Sequence, residues 1–360
     1  MSVLEDSYRW VLRLLPAPYR AEREEEMVSA FLEGAQHGEA GLDDQRPRWM
    51  EIASVVALAV RLRLGGPGAP PRSFLWGEAV RRAALLGLVF WTMIGFLSAA
   101  QALIAYGILA DALPDDVTMG IGHAGSADRL RHVLADLLPL LWAGSLGALV
   151  LGRPRTAKAV AVAALVLPHM LVPPVFPGGW EIVARWVCMV LPAAVTVPAL
   201  VIGFHRDALP PPLPRGQALR MVALAAVPGV LLSLVVIALS SLSRAATVPV
   251  TLLVQASLWV DVPGLACVSL LIVTVWCLAR RRTSGPTALA AAILTVPAVL
   301  SRAATLHPGA ADSITETINL VGGLQIALLL ASGITLTALS TQALRTVANG
   351  DLTGIRGQHG

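Results

Sequence analysis

The chain has 360 residues, 56% of them hydrophobic and 14% charged, with a formal net charge of +4; its mean hydropathy is +0.70. Soluble domains typically run to about 45–50% apolar residues, so a water-soluble fold is excluded for most of the chain. The positive charge is almost entirely arginine, with Lys158 the only lysine. These arginines cluster at the ends of apolar stretches, where they orient helices. They do not form the basic soluble face that a nucleic-acid partner requires.

The N-terminal segment carries Glu5, Asp6 and Arg9, which interrupt the apolar run a secretory leader needs, so membrane insertion is expected to begin further on. Three helices are expected before it. In the first, Leu4, Tyr8, Val11, Leu12 and Leu15 recur at helical spacing and stop at Pro16. The second opens at Pro18 and Tyr19 and carries Glu22, Glu24, Glu25 and Glu26 early, where carboxylates complement the helix dipole. This glutamate run reads as a solvated helix face, with a docking surface as the alternative. The third runs from about Pro47 and Trp49 through Ile52, Val55, Val56, Ala59 and Val60 to Arg61 and Arg63. Its composition suits a core helix or one lying on an anionic inner leaflet.

The string from Leu14 to Met27, Leu-Leu-Pro-Ala-Pro-Tyr-Arg-Ala-Glu-Arg-Glu-Glu-Glu-Met, resembles the "LLP..YR...GEEM" opening of a group of uncharacterised actinobacterial integral membrane proteins. It is also similar to the short cytoplasmic prefix domain of some bacterial ABC-type permeases. Glu24 stands where that opening usually has glycine. The resemblance covers roughly the first sixty residues and implies a cytoplasmic helical prefix, residues 1–66, joined to a membrane body. The run Gly-Gly-Pro-Gly-Ala-Pro-Pro-Arg-Ser at 65–73 denies the chain a packed face, and a linker is expected over 67–75.

Beyond it, eight stretches have about the length of the roughly 20 helical residues that cross a bilayer: Ala83–Ala110, Val133–Leu151, Ala159–Phe176, Ile182–Phe204, Met221–Leu242, Val262–Ala279, Pro286–Ala304 and Ile318–Leu344. The expected fold class is therefore all-α, a polytopic membrane helix bundle with a small three-helix N-terminal domain. Arg81, Arg82, Arg153, Arg155, Lys158, Arg206, Arg215, Arg220, Arg280, Arg281, Arg282, Arg345 and Arg356 fall on one side of this array. The positive-inside rule makes that side, and both termini, cytoplasmic, in the cell membrane. The longer first external loops of each half, Asp111–His132 and Ser243–Asp261, are expected to carry short interfacial helices.

Gly77-Glu78-Ala79-Val80-Arg81 echoes Gly216-Gln217-Ala218-Leu219-Arg220, and Leu151-Gly152-Arg153-Pro154-Arg155-Thr156 echoes Leu278-Ala279-Arg280-Arg281-Arg282-Thr283. These suggest a 4+4 parallel repeat, residues 76–214 and 215–346, before a cytoplasmic tail at 347–360. Two unrelated four-helix sets with similar composition are the alternative.

Ionisable groups at membrane depth are costly and mark candidate sites. Arg302 lies near the outer end of the seventh span, with Asp312 or Glu316 as the expected partner. Glu181 and Arg185 have i,i+4 spacing for a helix pair, and Arg185 reads chiefly as an interfacial anchor. His169 follows Pro168 and is expected to make an interhelical hydrogen bond, as are Gln101 and Gln255. Ser313-Ile314-Thr315-Glu316 has capping-box spacing. Cys188, Cys267 and Cys277 lack redox or metal spacing and read as buried apolar groups; His123, Asp128 and His132 form only a loose group. No catalytic, cofactor or metal site is expected. The expected partners are the lipid bilayer and a cytoplasmic protein engaged through residues 1–66, which couples that protein to the bundle. A permease component with a separate energy source is the alternative.

Overall fold

The computed structural model describes residues 3–37, 49–65, 71–104, 126–173, 179–204, 214–244, 248–280, 285–307 and 312–356. Among them helices dominate and no strand occurs. The chain divides into two compact units, Met1–Glu78 with Leu344–Gly360, and Ala79–Ala343.

In the first unit, α1 (Val3–Leu12), α2 (Ala17–His37) and α3 (Trp49–Arg63) follow the expected order. Their apolar stripes close a core of Tyr8, Val11, Leu12, Leu15, Val28, Val55, Ala59 and Leu62. The rings of Tyr8 and Phe31 stack at 4.0 Å between centroids, which ties α1 to α2. Arg9 reinforces that junction. Its guanidinium donates to Glu5 on its own helix and to Glu25 on α2 at 2.8 and 3.0 Å, and lies 3.6 Å from Glu24. The hydrogen bond from Arg9 holds the Glu25 carboxyl below the usual carboxylate range. Two of the glutamates read as a solvated face are thus partly spent inside the unit. Arg63 donates to the Leu14 carbonyl at 2.9 Å, bringing the C-terminal ends of α1 and α3 together. Helix α4 (Pro71–Leu103) begins inside the stretch expected as linker. Its Gly77 lies so close to the Leu64 carbonyl that a side chain there would collide with it.

The second unit is built on α4, α5 (Ala127–Leu137), a 3₁₀ turn at Leu138–Leu140, α6 (Leu141–Val150), α7 (Pro154–Leu171) and α8 (Gly179–Gly203). It continues with α9 (Arg215–Arg244), α10 (Val250–Val260), α11 (Val262–Ala279), α12 (Gly285–Ala303) and α13 (Ser313–Arg356). The short helix α10 falls within Ser243–Asp261, where a short helix was expected, whereas α5 overlaps only the end of Asp111–His132 and runs on through the 3₁₀ turn into α6 as one apolar stretch, Ala127–Val150; residues 105–125 lie outside the described residues. Among the described residues, seven helices have the length and composition to cross a membrane: Ser73–Leu103, Ala127–Val150, Gly179–Gly203, Arg215–Leu239, Val262–Ala279, Gly285–Ala303 and Ser313–Arg345. The helix over the expected third span, α7, is absent from that set. Arg155, Lys158 and His169 dilute its 18 residues.

The geometry around α7 is nevertheless that of a paired hairpin. Lys158 at its start donates to Val201 and Phe204 carbonyls at 3.0 and 2.8 Å, satisfying the orphan acceptors at the end of α8. At the opposite end His169 meets Trp186 edge-on, 5.2 Å between centroids. The two helices therefore run antiparallel along their shared length. Before α7 the chain turns in three residues. The amides of Gly152 and Arg153 donate to Leu149 and Ala148 carbonyls at 3.0 and 2.8 Å, a Schellman closure that puts Gly152 at φ +76°. A side chain there costs about 1–2 kcal/mol, so Gly152→Ala is expected to lower the thermal midpoint in detergent. Gly152→Asn is expected to lower it less; equal midpoints for wild type and alanine variant would contradict the turn.

Several basic helix ends gather at one end of this unit. Gly203 at the end of α8 lies against the Arg81 backbone. Arg82 donates to Thr287 at the start of α12, 2.6 Å away, and Gly285 faces the Ala343 side chain near the end of α13. The core is small-residue and leucine packing: Ala84, Leu88, Trp142, Leu146, Ala157, Ala161 and Leu200 around α4, α6, α7 and α8, and Cys267, Leu270, Cys277, Ala288, Ala291, Leu329 and Leu336 around α11, α12 and α13. The glycines that open the two echoed strings sit differently. Gly77 is pressed against Leu64, whereas Gly216 has nothing within 4 Å of its would-be side chain. The second echo runs into residues 281–284, outside the described residues.

Candidate functional site

The most polar buried constellation lies where α12 ends and α13 begins. Arg302 is fully buried, and its Nη1 donates to Asp261 Oδ2 at 2.8 Å. Asp261 is one-third exposed in that pair. The expected partners of Arg302 are thereby corrected. Asp312 instead caps α13, accepting from the Thr315 amide at 3.0 Å, one residue before the Ser313 cap that capping-box spacing suggested. The Thr315 hydroxyl, together with that amide, holds the Asp312 carboxyl below its ordinary range. The exposed Glu316 sits in the first turn of α13, its side chain unpaired among the described residues.

Local chemistry explains why Asp261 is available. The string Asp261-Val262-Pro263-Gly264 starts a helix: Asp261 is extended (φ −68°, ψ 164°), Pro263 suits the first turn, and Asp261 Oδ1 accepts from the Gly264 amide at 2.7 Å. One oxygen thus caps α11 while the other meets the guanidinium. Gly264 also lets the Leu258 carbonyl at the end of α10 approach. That carbonyl accepts from Gln325 Nε2 on α13 at 2.9 Å. The Cys267 thiol lies 3.8 Å from the Gln325 carbonyl oxygen. Four helices, α10 to α13, converge on one corner.

The corner is not saturated. Arg302 Nε and Nη2 and Gln325 Oε1 are buried without a hydrogen-bond partner among the described residues. Nε and Nη2 form the side-on edge of the guanidinium, the fork that matches a carboxylate or phosphate. Gly322 lies beside that edge, 3.5 Å from Nε to its would-be Cβ. Chemically the arrangement is an electrostatic clamp with one arm engaged. Nearby, Asn319 closes the loop between α12 and α13 by exchanging hydrogen bonds with the His307 backbone at 2.9 and 3.0 Å.

The other sequence candidates remain dispersed. Glu181 is exposed and Arg185 half-buried, and among the described residues the two form no ion pair. His169 packs on Trp186 and has no hydrogen bond among the described residues. Gln101 and Gln255 are unpaired there as well, so the interhelical amide is Gln325, which the sequence reading missed within a run of small residues. His132 donates through Nδ1 to the Asp128 backbone carbonyl at 2.8 Å, while the Asp128 carboxylate faces Arg131 at 3.4 Å; His123 lies outside the described residues. The three cysteines are free thiols. A cleft of about 600 Å³ runs between α12 and α13, lined by Ala292, Thr295, Val296, Leu330, Gly333 and Thr337 among others. Its threonines donate to carbonyls of their own helices, leaving the walls apolar. Comparison of the chain with known protein families, with curated proteins and with solved structures yields no match.

Proposed function

We propose that the chain is an integral protein of the cell membrane, without catalytic chemistry of its own, in which a cytoplasmic N-terminal helical domain couples an eight-span bundle to a protein partner. The observation that carries this reading is the grouping of residues 1–78 and 344–360 in one compact unit. Helix α4 leaves that unit and α13 returns to it, which supports an even number of crossings with both termini on one side.

The α7–α8 hairpin supplies the crossing that hydropathy alone does not. At about 1.5 Å per residue, its 18 residues extend roughly 27 Å, near the hydrocarbon thickness of about 30 Å. The ends fixed by Lys158 with Phe204 and by His169 with Trp186 support a crossing beside α8. The gathering of Arg81, Arg82 and Lys158 at one end supports a cytoplasmic assignment for that end and for both termini. The resemblance of Leu14–Met27 to a permease-type prefix agrees with a domain that meets a cytoplasmic protein.

Deleting residues 1–66 tests the coupling. The truncated chain is expected to insert and yet lose proteins that co-purify with the full chain. Retention of the same proteins by the truncated chain would sink the proposal. A permease component drawing on a separate energy source is the second reading, and it rests on the free guanidinium edge of Arg302. For this reading, Arg302→Ala should abolish uptake at unchanged abundance.

A further inference from the structure

Helix α3 is apolar almost all the way round, yet only Val55, Ala59 and Leu62 are buried on it. Such a helix ordinarily has a second neighbour. Its other face carries Trp49 and Met50, 79% and 81% exposed, Val56 at 42%, and the exposed Ala53 and Ala57. The one hydroxyl on that face, Ser54, donates to its own Glu51 carbonyl at 2.7 Å. The face has no exposed carboxylate: Glu51 is half-buried and acts on Tyr8, whose hydroxyl is pushed up by burial and by that charge. At the helix's far end stand Arg61 and Arg63, both exposed.

That basic end adjoins the start of the first membrane-crossing helix within the same unit. Gly65 lies against Phe74, and Leu64 against Gly77. Phe74 and Trp76 on α4 are exposed, as aromatic residues at a membrane–water boundary are. Among the described residues, Glu22, Glu25 and Glu26 are exposed on a different helix, α2.

We infer that α3 lies on the inner surface of the bilayer, its Trp49–Met50–Ala53–Val56–Ala57 face in the headgroup–acyl boundary and its arginine end on anionic phospholipid. Charge complementarity selects this occupant. An apolar face closed by arginines and free of exposed carboxylate fits an anionic lipid surface, which attracts basic side chains beside it, and a helix with such a face beds into the interface. The covalent tie to α4 holds it near that surface. This inference is independent of the coupling reading, which leaves the acidic flank of α2 for a protein.

The test uses the full chain carrying Cys188→Ala, with Cys267 and Cys277 retained because both are fully buried. A nitroxide is attached at Ala53→Cys, or at Glu22→Cys as the water-facing control. Each protein, checked for native elution in detergent, is reconstituted into vesicles of phosphatidylcholine or of phosphatidylcholine with phosphatidylglycerol. In the anionic vesicles the ratio of oxygen to water-soluble nickel collisions is expected to be several-fold higher at position 53 than at position 22, and lower at 53 in the neutral vesicles. Equal ratios at the two positions overturn the inference. So does a position-53 label that is immobilised and shielded from both reagents, the mark of a protein occupant, and so does a ratio at 53 indifferent to lipid charge.

Discussion

Asp261→Ala is expected to destabilise the protein more than Arg302→Met, although the two substitutions break the same ion pair. Removing Asp261 strips α11 of its cap, worth about 1 kcal/mol, and leaves a fully buried guanidinium with no counter-ion. Breaking a buried pair from one side costs about 3–5 kcal/mol. Removing Arg302 leaves a carboxylate that is one-third exposed and can turn toward water, so that loss is smaller. The double variant Asp261→Asn with Arg302→Met restores much of the stability, because two neutral groups carry no stranded charge. Thermal midpoints in detergent and steady-state abundance would check the order. An Asp261→Ala protein as stable as wild type would mean that the pair does not organise this corner. By the same logic Arg302→Ala lowers abundance before it affects any turnover.

The second large effect belongs to Gly229→Ala. Helix α9 approaches α4 through this glycine so closely that a methyl group would collide with the Met93 carbonyl, with Leu97 N and Phe96 Cβ 3.1 Å away. Two of these neighbours are backbone atoms and cannot swing aside, so the helices must separate. Overpacking of this kind costs about 1–3 kcal/mol, and small residues are what permit close helix approach in lipid. Gly216→Ala, on the same helix with nothing within 4 Å, is expected to move the other way, gaining roughly 0.4–1 kcal/mol through the unfolded chain. Thermal unfolding of the two variants side by side separates a packing glycine from an idle one; matching shifts would contradict the α4–α9 approach.

How far the sequence could be read depended on the range of the interaction. Helical spacing in Leu4, Tyr8, Val11, Leu12 and Leu15 identified the buried stripe of α1, since periodicity is local. Length and apolarity identified seven of the eight expected spans for the same reason. The helix over Ala159–Phe176 stands apart because Arg155, Lys158 and His169 make it less apolar by composition. The partner of Arg302 was beyond local reading. Asp312 and Glu316 are close in sequence, but Asp312 caps α13 and Glu316 lies in its first turn. Asp261, 41 residues away, looked like an ordinary loop carboxylate. The signal that was present is Asp261-Val262-Pro263-Gly264, a helix start that fixes one carboxylate oxygen and leaves the other to point elsewhere. Gln325 gave no signal of that kind, since an amide among small residues resembles any other interhelical polar group. The linker expected at 67–75 was shortened because Pro71 opens α4, a position where proline costs a helix nothing.

The ammonium of Lys158 has a consequence for biosynthesis. Its acceptors lie 43 and 46 residues downstream, so they emerge from the ribosome after the lysine. At about 5–20 residues per second, Phe204 emerges from the ribosome roughly 2–9 seconds after Lys158. During that interval α7 carries an unmatched cation and little apolar drive of its own. It is therefore expected to wait at the insertion machinery until α8 emerges, and the two helices should enter the lipid as one folded unit.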